Sequence, residues 1–388
     1  MDLRAATKAR VRAGLVGGGE GAFIGQVHLQ AMRLDGRFEL VCGAFSRNPE
    51  NNRRTASALH LDLERCYDSW EQLLAGEAAR PCDERLELLV IVTPNHLHAP
   101  IAKAALESGF HVFSEKPAAL SLADTHDLAV SLARSACQYG LAHTYQGYPM
   151  VWQAQHMVAT GALGRLRKIY VEYPQGWLSE DQAGQGNKQA AWRGDPSVAG
   201  PSGCMGDIGV HAFNLAEFVS GQRIGQLCAD LGVHVEGRQL DDDGAVLFRT
   251  DAGASGVLIA SQICSGEENA LTLRLYGERG GLEWRQQDPG SLHYRRIDGP
   301  VQTLRAGTDQ SWLCEAALKR IRLPAGHPEG YIEAMANLYT DQASSIRDGH
   351  PSTIPGIDAA LRGMSFIETV LASQRSDSKW TSFIASER

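Results

Sequence analysis

Short apolar runs alternate with helical periodicities over roughly the first 145 residues of the chain. Residues 11–16, 39–45, 86–92, 111–113 and 141–144 read as strands, and residues 25–34, 49–59, 69–74, 98–108 and 120–136 read as helices. The run Leu86-Glu87-Leu88-Leu89-Val90-Ile91-Val92 is almost wholly apolar, as a parallel strand covered on both faces requires. This alternation predicts a doubly wound α/β sheet with right-handed crossovers. Ligands of such sheets sit beyond the carboxyl ends of the strands. That rule singles out the segments after Val16, Phe45 and Val92.

The pattern changes after Tyr145-Gln146-Gly147-Tyr148-Pro149, where the chain is expected to cross into a second domain. A helix over 150–160 stops at Gly161. Residues 166–173 alternate apolar and polar side chains, the mark of a strand with one wet face. The same alternation recurs at 226–235, 245–250, 254–263 and 270–276 with turn residues between, which is a meander and not a series of βαβ units. Helical patterns at 328–347 and 357–373 close the chain. The expected division is 1–146 for the first domain and 147–388 for the second.

Composition adds few constraints. A hydrophobic fraction of 43% and a charged fraction of 21% are those of a globular protein, and 388 residues exceed one ordinary core. A net charge of −8 argues against nucleic acid and anionic membrane as partners. No window approaches the ~18 apolar residues that span a bilayer. The basic N-terminus, with Arg4, Lys8, Arg10 and Arg12, has no apolar segment behind it, so no secretory signal is expected. The eight cysteines are scattered without a Cys-x-x-Cys pair, which predicts buried free thiols in a reducing compartment and a cytoplasmic location.

The candidate chemistry begins at Val16-Gly17-Gly18-Gly19-Glu20-Gly21-Ala22-Phe23-Ile24-Gly25-Gln26-Val27-His28. A strand, a glycine-rich turn and a helix start let bare backbone N–H groups approach a phosphate. Gly17-x-Gly19-x-x-Ala22 fits the dinucleotide template, and a second frame ends at Gly25. Gly17, Gly19 and the backbone of Ala22, Phe23 and Ile24 are the expected pyrophosphate holders. After the second strand no acid is present to bind a ribose. Ser46 and Arg47 either accept a 2′-phosphate, which tilts the cofactor from NAD slightly towards NADP, or form an ordinary solvated loop. Thr93, Asn95 and His98 follow the third strand, and Glu115 and Lys116 the fourth, each beside the expected crevice.

In the second half, residues 175–201 form a long polar and aromatic loop, and loops of this length inside a compact domain are usually functional. Trp177 and Trp192 offer flat faces to the C–H side of a sugar, while Lys188 and Arg193 offer donors to hydroxyls. Anchoring and subunit contacts are the alternative uses. A helix over 204–219 carries Asp207 and His211 four apart, hence on one face. No third ligand lies at metal-binding spacing, so no metal is expected.

Gly25-x-x-His28, Thr93-Pro94-Asn95-x-x-His98, Glu115-Lys116-Pro117 and Gly206-Asp207-Ile208-Gly209-Val210-His211, in this order, resemble the family of glucose–fructose oxidoreductase, inositol dehydrogenase and MocA. The resemblance covers most of the chain. It implies a Rossmann domain followed by an α+β domain with a large, mostly antiparallel open sheet, and a homodimer or homotetramer built through that sheet. It also implies NAD(P)-dependent hydride transfer to or from a sugar, cyclitol or related polyol, with Lys116 and His211 catalytic and Asp207 assisting. On that footing His211 takes the hydroxyl proton and Lys116 polarises the oxygen. Two other outcomes fit the same residues, a catalytically silent dinucleotide-binding regulator and an NAD-dependent glycosidase. The sequence departs from the family pattern in a glycine loop three residues longer than Gly-x-Gly-x-x-Gly-x-x-His.

Overall fold

The computed structural model describes residues 10–182, 184 and 186–384, with the backbone alone at 188 and 189. Arg4 and Lys8 of the basic N-terminus lie outside the described residues. In chain order the first elements are β1 (Val11–Gly17), α1 (Phe23–Leu34), β2 (Phe38–Ala44), α2 (Pro49–Ala58), α3 (Trp70–Ala78), β3 (Leu88–Val92), α4 (His98–Glu107), β4 (His111–Ser114), α5 (Leu122–Arg134) and β5 (Tyr139–Leu141). Then follow α6 (Pro149–Ala159), β6 (Leu166–Pro174), α7 (Lys188–Arg193), α8 (Pro196–Ala199), a π-helical turn (Met205–Gly209) and α9 (Val210–Ser220). The strands β7 (Ile224–Gly232), β8 (Asp243–Thr250), β9 (Ser255–Ser261), β10 (Thr272–Gly277), β11 (Gly280–Arg285), β12 (Ser291–Arg296) and β13 (Val301–Arg305) come next. The chain closes with α10 (Glu315–Leu318), α11 (Tyr331–Asp348), α12 (Ile357–Arg375) and β14 (Thr381–Ser382).

The chain forms two compact units. The first contains Met1–Ala119, Ala123–Thr144 and Tyr331–Ala360, and the second contains Leu120–Leu122, Tyr145–Gly330 and Leu361–Arg388. The sequence-based division at 146 and 147 is continuous; in the structure Tyr331–Ala360 clusters with the first unit. The reason is a core. Met335, Ala336, Leu338, Tyr339 and Ala343 of α11 pack in one apolar cluster with Val27, Leu29, Ala31 and Met32 of α1.

The first unit is a five-stranded parallel sheet in the order β2-β1-β3-β4-β5. Strand alternation explains its two covered faces. Leu88, Val90 and Val92 point into the cluster with α1 and α11, whereas Leu89 and Ile91 point into a second cluster with Leu73 and Leu74 of α3 and Ile101, Ala102 and Ala105 of α4. Helix starts are locally specified: the Asn48 side chain accepts the Asn51 N–H at 2.9 Å with Pro49 following, and Ser69 Oγ accepts the Gln72 N–H at 3.3 Å.

The second unit holds a nine-stranded sheet in the order β13-β12-β11-β10-β6-β9-β8-β7-β14. The β6–β9 pair is parallel, and the other pairs are antiparallel. Burial alternates along β8, with Gly244, Val246 and Phe248 inside and Ala245, Leu247 and Arg249 outside. Phe213 of α9 stacks on Phe366 of α12 at 4.5 Å between ring centroids, part of the helical layer over the inner face. None of the eight cysteines is in a disulfide; Cys42 and Cys204 are buried as expected, but Cys82 is exposed and the others are half-buried. Among the described residues no helix is long and apolar enough to cross a membrane.

Candidate active site

The strand order of the first unit reverses at β1, whose two neighbours are β2 and β3. In an open parallel sheet the crevice for a ligand lies at the carboxyl ends of the strands flanking such a reversal. Gly17, the last residue of β1, has a φ of 85°, and a Cβ there would stand 2.8 Å from the Val92 carbonyl oxygen. A Cβ on Gly25 would stand 2.4 Å from the Gly18 Cα, so Gly25 sets the close packing of α1 on the loop. That helix begins at Phe23, two residues earlier than its sequence signal, because Gly25 reads as a helix breaker yet is needed for contact. Phe23 and Ile24, expected in the glycine loop, therefore form the helix's first turn. Ala22 is its N-cap, no side chain caps it, and no acid lies in its first turn. The first-turn N–H groups are thus left for a ligand.

The glycine loop is tied to α2 through Glu20. The Glu20 N–H donates to Thr55 Oγ1 at 3.0 Å, its carbonyl accepts from Asn51 Nδ2 at 3.2 Å, and its carboxylate pairs with Arg54. Ser46 Oγ accepts the Asn48 N–H at 3.1 Å, and Arg47 is exposed.

The segment after β3 supplies the observation that best fits a bound group. Thr93 Oγ1 is buried without a hydrogen-bond partner, and the Thr93 backbone N would be 3.1 Å from a Cβ at Gly17. An orphaned buried hydroxyl beside a Cβ-free turn is what a dinucleotide would complete. Asn95 is buried and opens a short turn after Pro94. His98 is placed differently from its sequence expectation: its Nδ1 lies 2.7 Å from the Pro117 carbonyl and its Nε2 2.8 Å from the Thr93 carbonyl, so it braces two segments and does not face a ligand. Burial holds its pKa down although both carbonyls pull it up.

Lys116 follows β4 and is half-buried, with a cis peptide to Pro117. The adjoining Glu115 is buried and accepts the Lys116 backbone N–H on Oε2 at 3.1 Å. Its Oε1 lies 3.0 Å from His28 Nε2, and His28 Nδ1 lies 2.6 Å from the Tyr339 hydroxyl. Burial pushes the Glu115 carboxyl up, but the His28 hydrogen bond and the nearby Lys116 charge help outweigh it and leave the pKa below the ordinary value. His143, fully buried, is driven down to about 3 by burial, with the Lys116 charge adding to the effect.

In the second unit Asp207 sits in the π-helical turn, not in the regular α-helix implied by its spacing from His211. Such turns recur at functional sites. The turn is anchored by buried Asp241, which accepts the Gly203 and Met205 N–H groups at 2.8 Å each and the Ser202 hydroxyl at 3.2 Å. Asp207 Oδ2 accepts from Gln262 Nε2 at 2.9 Å and from Arg193 Nε at 3.2 Å. The Arg193 guanidinium lies 4.2 Å from the Trp192 ring centroid and 5.7 Å from that of Trp177. Trp177, Trp192 and Arg193, three of the four residues expected to bind substrate, are thus brought together, with Arg193 held on Asp207. The Lys188 side chain lies outside the described residues.

His211 is buried, and the Tyr145 ring meets it edge-on at 5.0 Å. The Tyr145 hydroxyl hydrogen-bonds that of Tyr173, which donates to Asn269 Oδ1 at 2.7 Å. Sequence reasoning assigned no role to Gln262, Tyr145, Tyr173, Asn269 or Tyr339, and named His28 only as part of the Gly25-x-x-His28 motif. Gln262 lies near the end of the alternating run 254–263, where a polar residue reads as the strand's wet face, and Asn269 precedes the run 270–276, where it reads as turn.

A parallel sheet with a Cβ-free turn at its order reversal is the architecture of a dinucleotide-binding domain. The chain belongs to the GFO/IDH/MocA family: residues 11–143 match the oxidoreductase family's NAD-binding Rossmann fold, and residues 151–283 match the GFO/IDH/MocA C-terminal domain. An uncharacterized oxidoreductase of Bacillus subtilis, YfiI, is 31% identical over 384 residues, 96% of this chain and 97% of that protein. An inositol dehydrogenase homolog of Azotobacter vinelandii, solved complexed with NAD+, is 33% identical with a TM-score of 0.92, covering 96% of this chain and 97% of its own. Its structure complexed with NADH and myo-inositol aligns with a TM-score of 0.89 at 31% identity, covering 96% and 98%. The first unit is an NAD-binding Rossmann domain, and the protein is an oxidoreductase.

Proposed function

We propose that this protein is an NAD(P)-dependent dehydrogenase or reductase acting on a secondary alcohol or ketone of a sugar, cyclitol or related polyol. The observation that carries the reading is the first unit's Cβ-free cradle at Gly17 beside the orphaned Thr93 hydroxyl, with Lys116 at the end of the next strand. The polyol class is supported by the Azotobacter vinelandii homolog, solved with myo-inositol. A bound nicotinamide would supply the hydride chemistry at the substrate carbon.

The chain's own residues supply the rest. The Lys116 ammonium donates to the substrate oxygen and stabilises the alkoxide as it develops. His211 takes the hydroxyl proton, or returns it to a ketone's oxygen in reduction. Asp207, held by Arg193 and Gln262, orients His211 or a neighbouring hydroxyl, and Trp177, Trp192, Arg193 and Lys188 bind the polyol. Gly17, Gly19 and the first-turn N–H groups of α1 hold the pyrophosphate, with Ser46 and Arg47 at the adenosine end. A homodimer or homotetramer through the nine-stranded sheet belongs to the same proposal. It is supported by Leu247 and Ile259, which are 48% and 39% exposed on its outer face.

The test is a panel of sugars and cyclitols with NAD and with NADP, followed at the nicotinamide absorbance. Turnover of at least one polyol is expected. Tight dinucleotide binding without turnover across the panel, or release of a free sugar with no net change in nicotinamide, overturns the reading.

A further inference from the structure

His28 has no exposed surface, Tyr339 is 1% exposed and Glu115 is 8% exposed, yet the three are joined in one chain of hydrogen bonds inside the first unit. The chain runs from the Tyr339 hydroxyl in α11 to Nδ1 of His28 in α1, and from Nε2 of His28 to Oε1 of Glu115. It ends on Glu115 Oε2, which accepts the backbone N–H of Lys116 at 3.1 Å.

The donors and acceptors fix the protons. A carboxylate only accepts, so His28 Nε2 carries a hydrogen, and in the neutral ring Nδ1 then accepts the Tyr339 O–H. Every link is satisfied in that state. Buried polar chains of this kind are seldom more stable than apolar packing of the same volume, so their presence calls for another reason. Here the chain begins in the apolar cluster of α1 and α11 and ends on the peptide of Lys116.

We infer that His28 and Tyr339 are positioning residues for Lys116: together they hold Glu115 as the anion that fixes the Lys116 backbone beyond β4, and with it the place of the ammonium. This rests on the reading of Lys116 as the donor to the reacting oxygen. The groups facing Glu115 are His28 from α1, His98 from α4, Tyr339 from α11, His143 after β5, and Lys116 itself. Of these, the His28 hydrogen bond does most to keep the carboxyl ionised against its burial. Without it, Glu115 takes up a proton at higher pH.

The experiment compares the full-length protein with Tyr339→Phe, which removes one hydroxyl, with His28→Gln, which removes the ring, and with Lys116→Met. Readouts are NADH affinity by its fluorescence, thermal midpoint, amide hydrogen exchange at Lys116, and the pH profile of kcat with the polyol that the wild type oxidises fastest. In Tyr339→Phe and His28→Gln, NADH affinity is expected to stay within about twofold, Lys116 exchange to quicken about tenfold, and kcat to fall roughly tenfold with little change in KM. The acid limb of the His28→Gln profile is expected to move to higher pH.

Unchanged Lys116 exchange in both variants overturns the inference, whether or not any polyol is turned over. So does a fall in activity matched by lost NADH binding with an unmoved pH profile, which would assign the chain to structure alone. Full kcat in Lys116→Met defeats the reading of Lys116 instead, and the exchange measurement still judges the positioning chain by itself.

Discussion

Arg193 is held between Asp207 and Trp192: its Nε lies 3.2 Å from Asp207 Oδ2, and its guanidinium carbon lies 4.2 Å from the Trp192 ring centroid. A planar guanidinium can stack and donate at once, and a lysine cannot. Arg193→Lys is therefore expected to raise the polyol KM about tenfold with NADH affinity unchanged, and Arg193→Ala to do no better. Steady-state kinetics with a wild-type KM in Arg193→Lys would remove Arg193 from the substrate's surroundings.

Lys116→Ala and His211→Ala are each expected to lower turnover by roughly 10²-fold or more while NADH still binds. Single-turnover rates and fluorescence titration separate the two quantities. Near-normal turnover in either variant sinks that residue's role.

Gly17 and Gly21 both have positive φ, 85° and 89°, but differ in surroundings: a Cβ at 17 meets the Val92 carbonyl at 2.8 Å, and one at 21 meets nothing within 4 Å. Gly21→Ala should cost only the strain of a left-handed alanine, about 1 kcal/mol, and leave NADH affinity nearly intact. Gly17→Ala should weaken NADH at least about tenfold, because loop and strand end must move apart. Urea melts and NADH titrations test the contrast, and equal effects at the two positions would contradict it.

Acid should destabilise the first unit before its carboxylates titrate. In the unfolded chain a histidine binds a proton near pH ~6.5, whereas folded His143 does so only at about 3. Between those values the unfolded state binds more protons, so stability falls as pH falls, by up to about 1.4 kcal/mol per pH unit from His143. His98, also lowered by burial, acts in the same direction. Urea midpoints taken on either side of pH ~6 should show the decline, and His143→Gln should flatten it. A midpoint that rises on acidification would refute the sign.

Light scattering at micromolar concentration is expected to give a dimer or tetramer, and Leu247→Glu to reduce it to monomer. Leu247 and Ile259 stand on the outer face of adjacent strands, where a charge would be buried by a partner. A monomeric wild type removes the proposed assembly.

Much of the first unit was legible because its apolar runs mark covered parallel strands, most clearly β3, all of whose residues are buried. The failures have physical causes. The apolar signal at 141–144 marks buried chain, but the strand is Tyr139–Leu141 and Thr144–Gly147 form a 3-10 turn; burial and pairing are different things. Strands β11 to β13 went unread because Gly280-Gly281 and the arginines of their wet faces look like turns. The π turn under Asp207 has no periodicity of its own to betray it. At the site, Lys116, Asp207 and His211 could be picked out by residue type and motif. The partners of Glu115 could not, since His28 and Tyr339 are 311 positions apart and only the fold joins them.

That separation bears on how the protein is made. The cluster that seals one face of the five-stranded sheet draws on Met335, Tyr339, Ala343 and Ile354 as well as on α1. A ribosome therefore releases all five strands, and then the whole of the nine-stranded sheet but its last short strand, before the helix that finishes the first unit emerges. Until then Leu29, Met32 and Phe38 lack their cover. The first unit of nascent chains halted near residue 146 should consequently be protease-sensitive and prone to aggregate, and that of chains extended past Ala360 should be protected. Synthesis order and folding order are uncoupled in this chain: the unit that begins first is completed late.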